Sequence, residues 1–354
     1  MHQLNSAKGV ARTTKRVRNG IAPRSVLREF LARTCVVLLL AACAAWAQNP
    51  NPGSATPLAG TPQAAPPANA ENASADDVPI FTTDTRLVVV HASVLDSKGK
   101  LVTTLGQSAF RVQENGVDQA IKLFRREDIP VSMGIIIDNS GSMRDKRVKV
   151  AAASLDLIRA SNPEDEVFVV NFNDDAYLDQ SFTNDIKKLE TALERYDTKG
   201  GTAMRDAISM SIDYVKDKGK KDKKVLIVVT DGNDNTSNIS LEDTVRKAQQ
   251  NDVLVYSIGI LSEEEPREAK AAKRALHDLA VASGGIDFYP KDLAEIDRII
   301  PEVAHDIRSQ YTIAYTPTNA ALDGTFRRIN VVVNAQGKPT VRSRNGYYAT
   351  ASNK

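Results

Sequence analysis

The sequence predicts an α/β fold in which a doubly wound, mostly parallel sheet is inserted in, or flanked by, a small antiparallel β-sandwich. Residues 130–305 alternate continuous apolar runs with helical segments, as in parallel sheets that are covered by helices on both faces. Residues 80–129 and 306–354 are instead rich in β-forming side chains. We expect these N-terminal and C-terminal arms to pair with each other and form the sandwich.

Length and composition predict a folded core and argue against several classes of function. The chain has 354 residues, of which 42% are hydrophobic and 25% charged, and its formal net charge is +2. So small a charge indicates no general affinity for nucleic acid or membrane surfaces. Two cysteines are too few for a disulfide framework or a cysteine-rich zinc site.

Residues 1–47 are predicted to be an export signal. They hold eight basic residues and one acidic residue, then an apolar run over 35–42, and finally the small-x-small pattern that ends at Ala47. The apolar run is too short to span a bilayer. Two processing routes stay open: cleavage after Ala47, or lipidation of Cys43, because the four residues that end at Cys43 resemble a bacterial lipobox. Membrane contact is expected only with lipidation.

Export would place an acidic chain in the periplasm, at the cell surface or outside the cell. Removing eight of 46 basic residues and one of 44 acidic residues leaves 38 and 43, a formal charge of −5. This charge argues further against a nucleic-acid partner. Residues 48–79 contain seven prolines among Ala, Asn, Gly, Ser and Thr, with too little apolar surface to pack, and they are predicted to be a disordered linker.

The two arms show the patterns of β-strands. In the N-terminal arm, residues 87–94 are rich in β-formers, and residues 110–113 and 119–124 flank Asn115 and Gly116. Asn-Gly between two apolar runs is the strongest short hairpin signal. The predicted strands of the C-terminal arm are 311–315, 327–333 and 346–348.

The segment between the arms shows strand-helix alternation. Apolar runs predict buried strands at 131–137, 166–170, 224–229 and 253–258. Helical patterns lie over 148–160, 185–196, 203–218, 241–250, 267–283 and 293–309. Such alternation is typical of a parallel sheet with crossover helices.

Oxygen-bearing side chains gather where ligands collect in such sheets, at the carboxyl ends of the strands. Asp138, Ser140 and Ser142 follow the first apolar run, Thr202 lies in the loop before the third helix, and Asp231 follows the run over 224–229. Two carboxylates and three hydroxyls suit an octahedral Mg²⁺ that retains some water. Mn²⁺ and Ca²⁺ are the alternatives, although the carboxylates are too few for a closed calcium cage.

These segments together resemble the metal-ion-dependent adhesion site of the von Willebrand factor type A (vWA) domain, over residues 130–305. The family motif Asp-x-Ser-x-Ser is matched by Asp138, Ser140 and Ser142, its threonine by Thr202, and its later aspartate by Asp231. The resemblance implies a Rossmann-like domain in which the hydroxyls bind the ion directly and the aspartates bind it directly or through water. It also implies that an acidic side chain of a protein partner completes the coordination.

The arms and the leader also resemble a group of exported bacterial proteins built around this domain. Two hypotheses of function stay open. One is an exported adhesion module that binds a protein partner through the metal. The other is a structural component of the cell envelope, whose β-arms mediate assembly and whose metal only stabilises loops. We expect no catalytic activity, because the sequence has no Gly-x-Ser-x-Gly elbow, Walker loop or His-Glu-x-x-His helix. A metal-dependent hydrolase is the least favoured alternative, because the sequence offers no general base beyond Asp138 and Asp231, which the ion would already occupy.

Two further groups of polar residues near the predicted rim have ordinary explanations. Residues 173–175, Asn-Asp-Asp, are expected to form a solvated loop. Asp145 is expected to be an acidic residue in the first turn of a helix, where the helix dipole favours it. The less favoured alternatives are a part in partner binding for residues 173–175 and a second metal ligand at Asp145.

Overall fold

The computed structural model describes residues 87–126, 128–195 and 197–350. The predicted export signal, with its alternative lipidation site Cys43, and the predicted linker over 48–79 lie outside the described residues. So do the first residues of the N-terminal arm and the last four of the chain. In the part of the chain that is described, no helix is long and apolar enough to cross a membrane.

The described residues form fourteen strands and six α-helices. The strands are β1 (Val88–Leu95), β2 (Phe110–Glu114), β3 (Val117–Gln119), β4 (Ile121–Arg125), β5 (Val131–Asp138), β6 (Glu166–Phe172), β7 (Ala176–Thr183), β8 (Lys223–Thr230), β9 (Val253–Gly259), β10 (Asp287–Phe288), β11 (Tyr311–Tyr315), β12 (Phe326–Val333), β13 (Thr340–Ser343) and β14 (Gly346–Tyr348). The helices are α1 (Arg147–Ala160), α2 (Ile186–Leu193), α3 (Met204–Lys218), α4 (Leu241–Gln250), α5 (Pro266–Ser283) and α6 (Ile296–Arg308).

The central sheet has the strand order β10-β9-β8-β5-β6-β7. Every neighbouring pair is parallel except β6 and β7, which are antiparallel. Helices α1, α2 and α6 pack on one face of the sheet, and α3, α4 and α5 pack on the other. Because both faces are covered, β5 is buried along its whole length. The predicted doubly wound, mostly parallel sheet is confirmed.

The arms form two four-stranded sheets, with the orders β13-β1-β11-β4 and β14-β12-β2-β3. Each sheet combines strands from before and after the central domain, and the pairs between the arms are antiparallel. Apolar side chains of both sheets, among them Val90, Phe110, Ile313 and Val331, share one buried cluster. The predicted sandwich of N-terminal and C-terminal arms is therefore confirmed.

The hairpin in the N-terminal arm is shorter than its sequence predicts. Asn115 and Gly116 both have positive φ, as a type I′ turn requires. The expected second strand over 119–124 is interrupted at Ala120: β3 pairs with β2, whereas β4 pairs with β11 in the other sheet. The prediction of one continuous strand was wrong, because alternation of side chains does not reveal where a chain changes sheets.

Two strands of the central sheet have no counterpart in the sequence prediction. The edge strand β7 is half exposed and carries polar side chains, and β10 has only two residues. Neither one shows the continuous apolar run of a buried strand. The predicted helices agree with the observed ones to within one turn, except that the expected end of α2 includes residue 196, which lies outside the described residues.

A buried polar cluster joins the central domain to the sandwich. Asp306, on α6, accepts hydrogen bonds from Ser93 Oγ at 2.9 Å and from Tyr256 Oη at 2.6 Å. It also pairs with the guanidinium of Arg342. Ser93 and Arg342 belong to β1 and β13 of the sandwich, whereas Tyr256 belongs to β9 of the central sheet. The carboxyl-terminal half of α6 is therefore tied to both parts of the fold.

Candidate metal centre

Three loops meet at the carboxyl edge of the central sheet. The first, residues 139–146, follows β5; the second, 197–203, precedes α3; and the third, 231–240, follows β8. The backbone hydrogen bonds that join them run from Gly141 N to Gly200 O (3.3 Å), from Lys199 N to Asn139 O (3.1 Å) and from Asn235 N to Thr202 O (3.1 Å). The loops that carry four of the five predicted metal-binding residues are thus fixed against each other, and the fifth, Asp138, ends β5 directly before the first loop.

Asp138 lies at the buried end of β5, where both of its carboxylate oxygens have partners. Oδ1 accepts a hydrogen bond from Ser140 N at 2.8 Å, and Oδ2 accepts one from Thr230 Oγ1 at 2.5 Å. Burial nevertheless raises the pKa of Asp138 to about 6, because desolvation penalises the ionised form. A cation beside this carboxylate would stabilise its charge.

The side chains of Ser140, Ser142 and Asp231 form one hydrogen-bonded series. The two serine Oγ atoms are 3.1 Å apart, and Ser142 Oγ donates to Asp231 Oδ1 at 2.8 Å. Ser140 and Asp231 are buried, whereas Ser142 is exposed. The structure therefore brings residues from the first and third loops together, with Ser142 on the solvent side.

Thr202 reaches the rim through its backbone. Its N–H donates to Asn235 Oδ1 at 2.9 Å, and the residue is buried. Its hydroxyl does not take part in the hydrogen-bonded series that joins the serines to Asp231. The oxygen of this hydroxyl is therefore not hydrogen-bonded to the other predicted side chains.

Asp174 is a structural support of the rim that its sequence context does not reveal. Its Oδ1 accepts a hydrogen bond from Gly201 N at 2.7 Å, which holds the loop before Thr202. Gly200 has φ of +73°, and a Cβ at this position would lie 2.1 Å from Asp174 Oδ2. Only glycine fits there without displacing the carboxylate. Although residues 173–175 were expected to form a solvated loop, Asp174 positions the loop that carries Thr202.

Two basic residues at the start of α1 also support the site. Lys146 Nζ donates to Asp231 Oδ2 at 2.7 Å. The fully buried Arg147 donates from Nε to Asn139 Oδ1 at 2.8 Å and thereby holds the first loop. No pattern in the sequence marks either residue, because their partners lie on other segments of the chain. Asp145, expected in the first turn of α1, is exposed and precedes the helix.

The donor set fits a hard divalent ion. Among the described residues, no group of three or more His, Cys, Asp or Glu side chains could hold a metal, so a site here depends on hydroxyl oxygens. A serine hydroxyl that donates its proton to a carboxylate keeps lone pairs that can face a cation. Two buried carboxylates with three hydroxyls match the preference of Mg²⁺ for oxygen ligands and retained water.

Comparison with known proteins identifies the class of the central domain. Residues 133–233 match the family model described as von Willebrand factor type A domain. The doubly wound sheet and the match together show that the chain contains a von Willebrand factor type A domain. No curated protein matches the chain significantly.

Several solved structures resemble this one. A von Willebrand factor type A protein from Catenulispora acidiphila is 17% identical with a TM-score of 0.46, and the likeness covers 73% of this chain and 74% of that one. The vWF domain of the type V pili tip protein Mfa5 from Porphyromonas gingivalis is 12% identical with a TM-score of 0.42, covering 51% and 97%. The PilB minor pilin from Streptococcus sanguinis is 14% identical with a TM-score of 0.41, covering 52% and 63%.

Proposed function

We propose that the protein is an exported binding module that recognises a protein partner through a Mg²⁺ ion at the rim of the vWA domain. The residues that would hold the ion are Asp138, Ser140, Ser142, Thr202 and Asp231. The observation that carries the proposal is the hydrogen-bonded series from Ser140 through Ser142 to Asp231, which joins two loops at the carboxyl edge of the sheet. This is the edge at which open α/β sheets bind ligands.

The arrangement of burial favours a ligand that approaches from outside. The carboxylates of Asp138 and Asp231 lie behind the rim, while Ser142 faces solvent. Bound Mg²⁺ would supply an electrophilic centre for a carboxylate oxygen. Because hydroxyls carry no formal charge, serine and threonine ligands would leave much of that positive charge unneutralised. The chain's own residues orient the oxygens and keep the buried side of the site dry.

The chemistry of the site selects the partner by charge. An aspartate or glutamate side chain on a protein would provide the oxygen that completes the coordination. The exported form of the chain is predicted to be acidic, so an acidic partner would be repelled from most of its surface. A bound cation would provide a local attraction that this surface otherwise lacks.

Capture of a partner from the envelope of the producing cell tests the proposal. The purified chain is immobilised and exposed to solubilised envelope proteins in Mg²⁺, and bound proteins are then eluted with EDTA. We expect at least one protein to require Mg²⁺ for capture and to be lost with Asp138→Ala. Asp213→Ala is a matched control, because Asp213 is an exposed acid on α3 that should not affect capture.

Each contrary outcome has a distinct meaning. Capture that survives both EDTA and Asp138→Ala would rule out a metal-mediated contact. If EDTA instead lowers the melting temperature but leaves assembly of the protein into the envelope unchanged, the structural alternative is favoured. In that case the metal stabilises loops, and the β-arms carry the association.

A further inference from the structure

Lys146 lies in direct contact with the candidate metal centre. It is the residue immediately before α1, and its side chain is only 9% exposed. Its ammonium group is 2.7 Å from Asp231 Oδ2 and 2.9 Å from Glu263 Oε2. Both acids follow strands of the central sheet, Asp231 after β8 and Glu263 in the loop after β9. A fixed positive charge is therefore part of the rim.

Two effects disfavour a lysine at this position, so its contacts must offset them. A cation at the amino end of a helix is repelled by the helix dipole, and burial removes it from water. Contacts of the ammonium group with Asp231 at 2.7 Å and with Glu263 at 2.9 Å offset both effects. The lysine thereby neutralises the carboxylate that the resemblance to the adhesion site assigns to a metal ion.

Lys146 and a divalent ion bound at the rim would share one carboxylate. Asp231 presents Oδ1 to Ser142 and Oδ2 to Lys146. A divalent ion among the serine hydroxyls would lie on the Oδ1 side, so it and the ammonium group would repel each other across a buried aspartate. Electrostatic repulsion between such charges is poorly screened away from water.

We propose that Lys146 is a built-in counter-cation that lowers the affinity of the rim for its divalent ion. This inference rests on the proposed metal site and adds a residue that regulates it. The ammonium group stabilises Asp231 when no ion is present and opposes the ion when it binds. Glu263 gives the ammonium group a second acceptor. This contact would limit the repulsion between the ammonium group and an ion coordinated by Asp231. With the ion bound, the extra positive charge also strengthens attraction to an anionic partner.

Magnesium titration of charge-changing variants tests this role. The full chain is titrated with MgCl₂ by isothermal calorimetry as wild type, Lys146→Met and Lys146→Arg. Removing the charge should tighten Mg²⁺ binding at least tenfold, about 1.4 kcal/mol. The arginine variant keeps the charge and should remain within about threefold of wild type. Lys149→Gln, in the first turn of α1, is the matched control, because Lys149 pairs with Asp297 instead of the rim. The Mg²⁺ affinity of this variant should equal that of wild type.

A second measurement guards against misfolding. Urea unfolding with and without Mg²⁺ should show that Lys146→Met is less stable than wild type without the ion and gains more stability from it. Equal or weaker Mg²⁺ binding by a folded Lys146→Met chain, while wild type binds the ion, would overturn the inference and leave the proposed function intact. If neither wild type nor variant binds Mg²⁺, both the inference and the proposed metal site are overturned.

Discussion

Replacement of Asp306 by alanine should show how strongly the vWA domain is joined to the β-sandwich. The substitution removes the acceptor of Ser93 and Tyr256 and the ion-pair partner of Arg342. An acid near the carboxyl end of a helix is disfavoured by the helix dipole, so these contacts must outweigh that effect. Breaking a buried ion pair costs about 3–5 kcal/mol. Because the Arg342 side chain is 23% exposed, we expect the lower end, about 3 kcal/mol.

Asp297→Ala is the matched control, since Asp297 lies on the same helix and also pairs with a basic residue. Its side chain is 57% exposed, and it contacts Lys149 near the amino end of α6. Loss of an exposed ion pair costs about 1 kcal/mol or less. Urea denaturation at pH 7.5, followed by circular dichroism, gives both free energies of unfolding. A loss for Asp306→Ala that does not exceed the loss for Asp297→Ala would show that the buried contacts of Asp306 add no stability.

Two further predictions concern the buried core. Burial lowers the pKa of His91 well below its ordinary value, and the nearby charge of Lys223 lowers it further. Below about pH 6.5 the unfolded chain therefore binds a proton at this histidine, whereas the folded chain does not. The free energy of unfolding should therefore fall with decreasing pH by up to about 1.4 kcal/mol per pH unit. Urea unfolding from pH 8 to pH 5 should show a weaker dependence of this free energy on pH for His91→Gln than for wild type. An unchanged dependence would contradict the prediction. Gly134→Ala would place a Cβ 2.3 Å from Phe168 Cζ and should cost about 1–3 kcal/mol of unfolding free energy. Gly106→Ala, which meets no atom within 4 Å, should cost less than about 0.5 kcal/mol, and equal losses for the two variants would exclude the packing explanation.

Buried elements of this fold could be predicted from the sequence because buried strands and helix faces have recognisable patterns of apolar residues. A strand covered on both faces, such as β5, is a continuous apolar run. The edge strand β7 has no buried residue, mixes polar with apolar side chains and gives no such run. The change of sheets at Ala120 depends on which distant strands are available as partners, and alternation along the chain contains no information about that.

The candidate metal centre likewise has residues that the sequence predicts and supporting contacts that it does not. Asp138, Ser140 and Ser142 lie within one short motif, and Asp231 follows a parallel strand whose carboxyl end lies at the same edge. Thr202 lies between two helices, and its assignment depended on the resemblance to the family motif. The supporting contacts join residues that are far apart along the chain. Lys146 meets Asp231 across 85 positions, and Asp174 meets Gly201 across 27. Only the folded structure shows such pairs.

Thr202→Val shows whether five oxygen-bearing side chains hold Mg²⁺ at the rim, as we propose. Valine keeps the shape of threonine but lacks the hydroxyl, which takes no part in the hydrogen-bonded series that joins the serines to Asp231. The variant should therefore fold with a free energy of unfolding in EDTA within about 1 kcal/mol of wild type. In a calorimetric titration with MgCl₂, we expect saturable binding to wild type and an affinity at least tenfold weaker for Thr202→Val. Equal affinity of the two chains, or no binding to wild type, would contradict the proposed site.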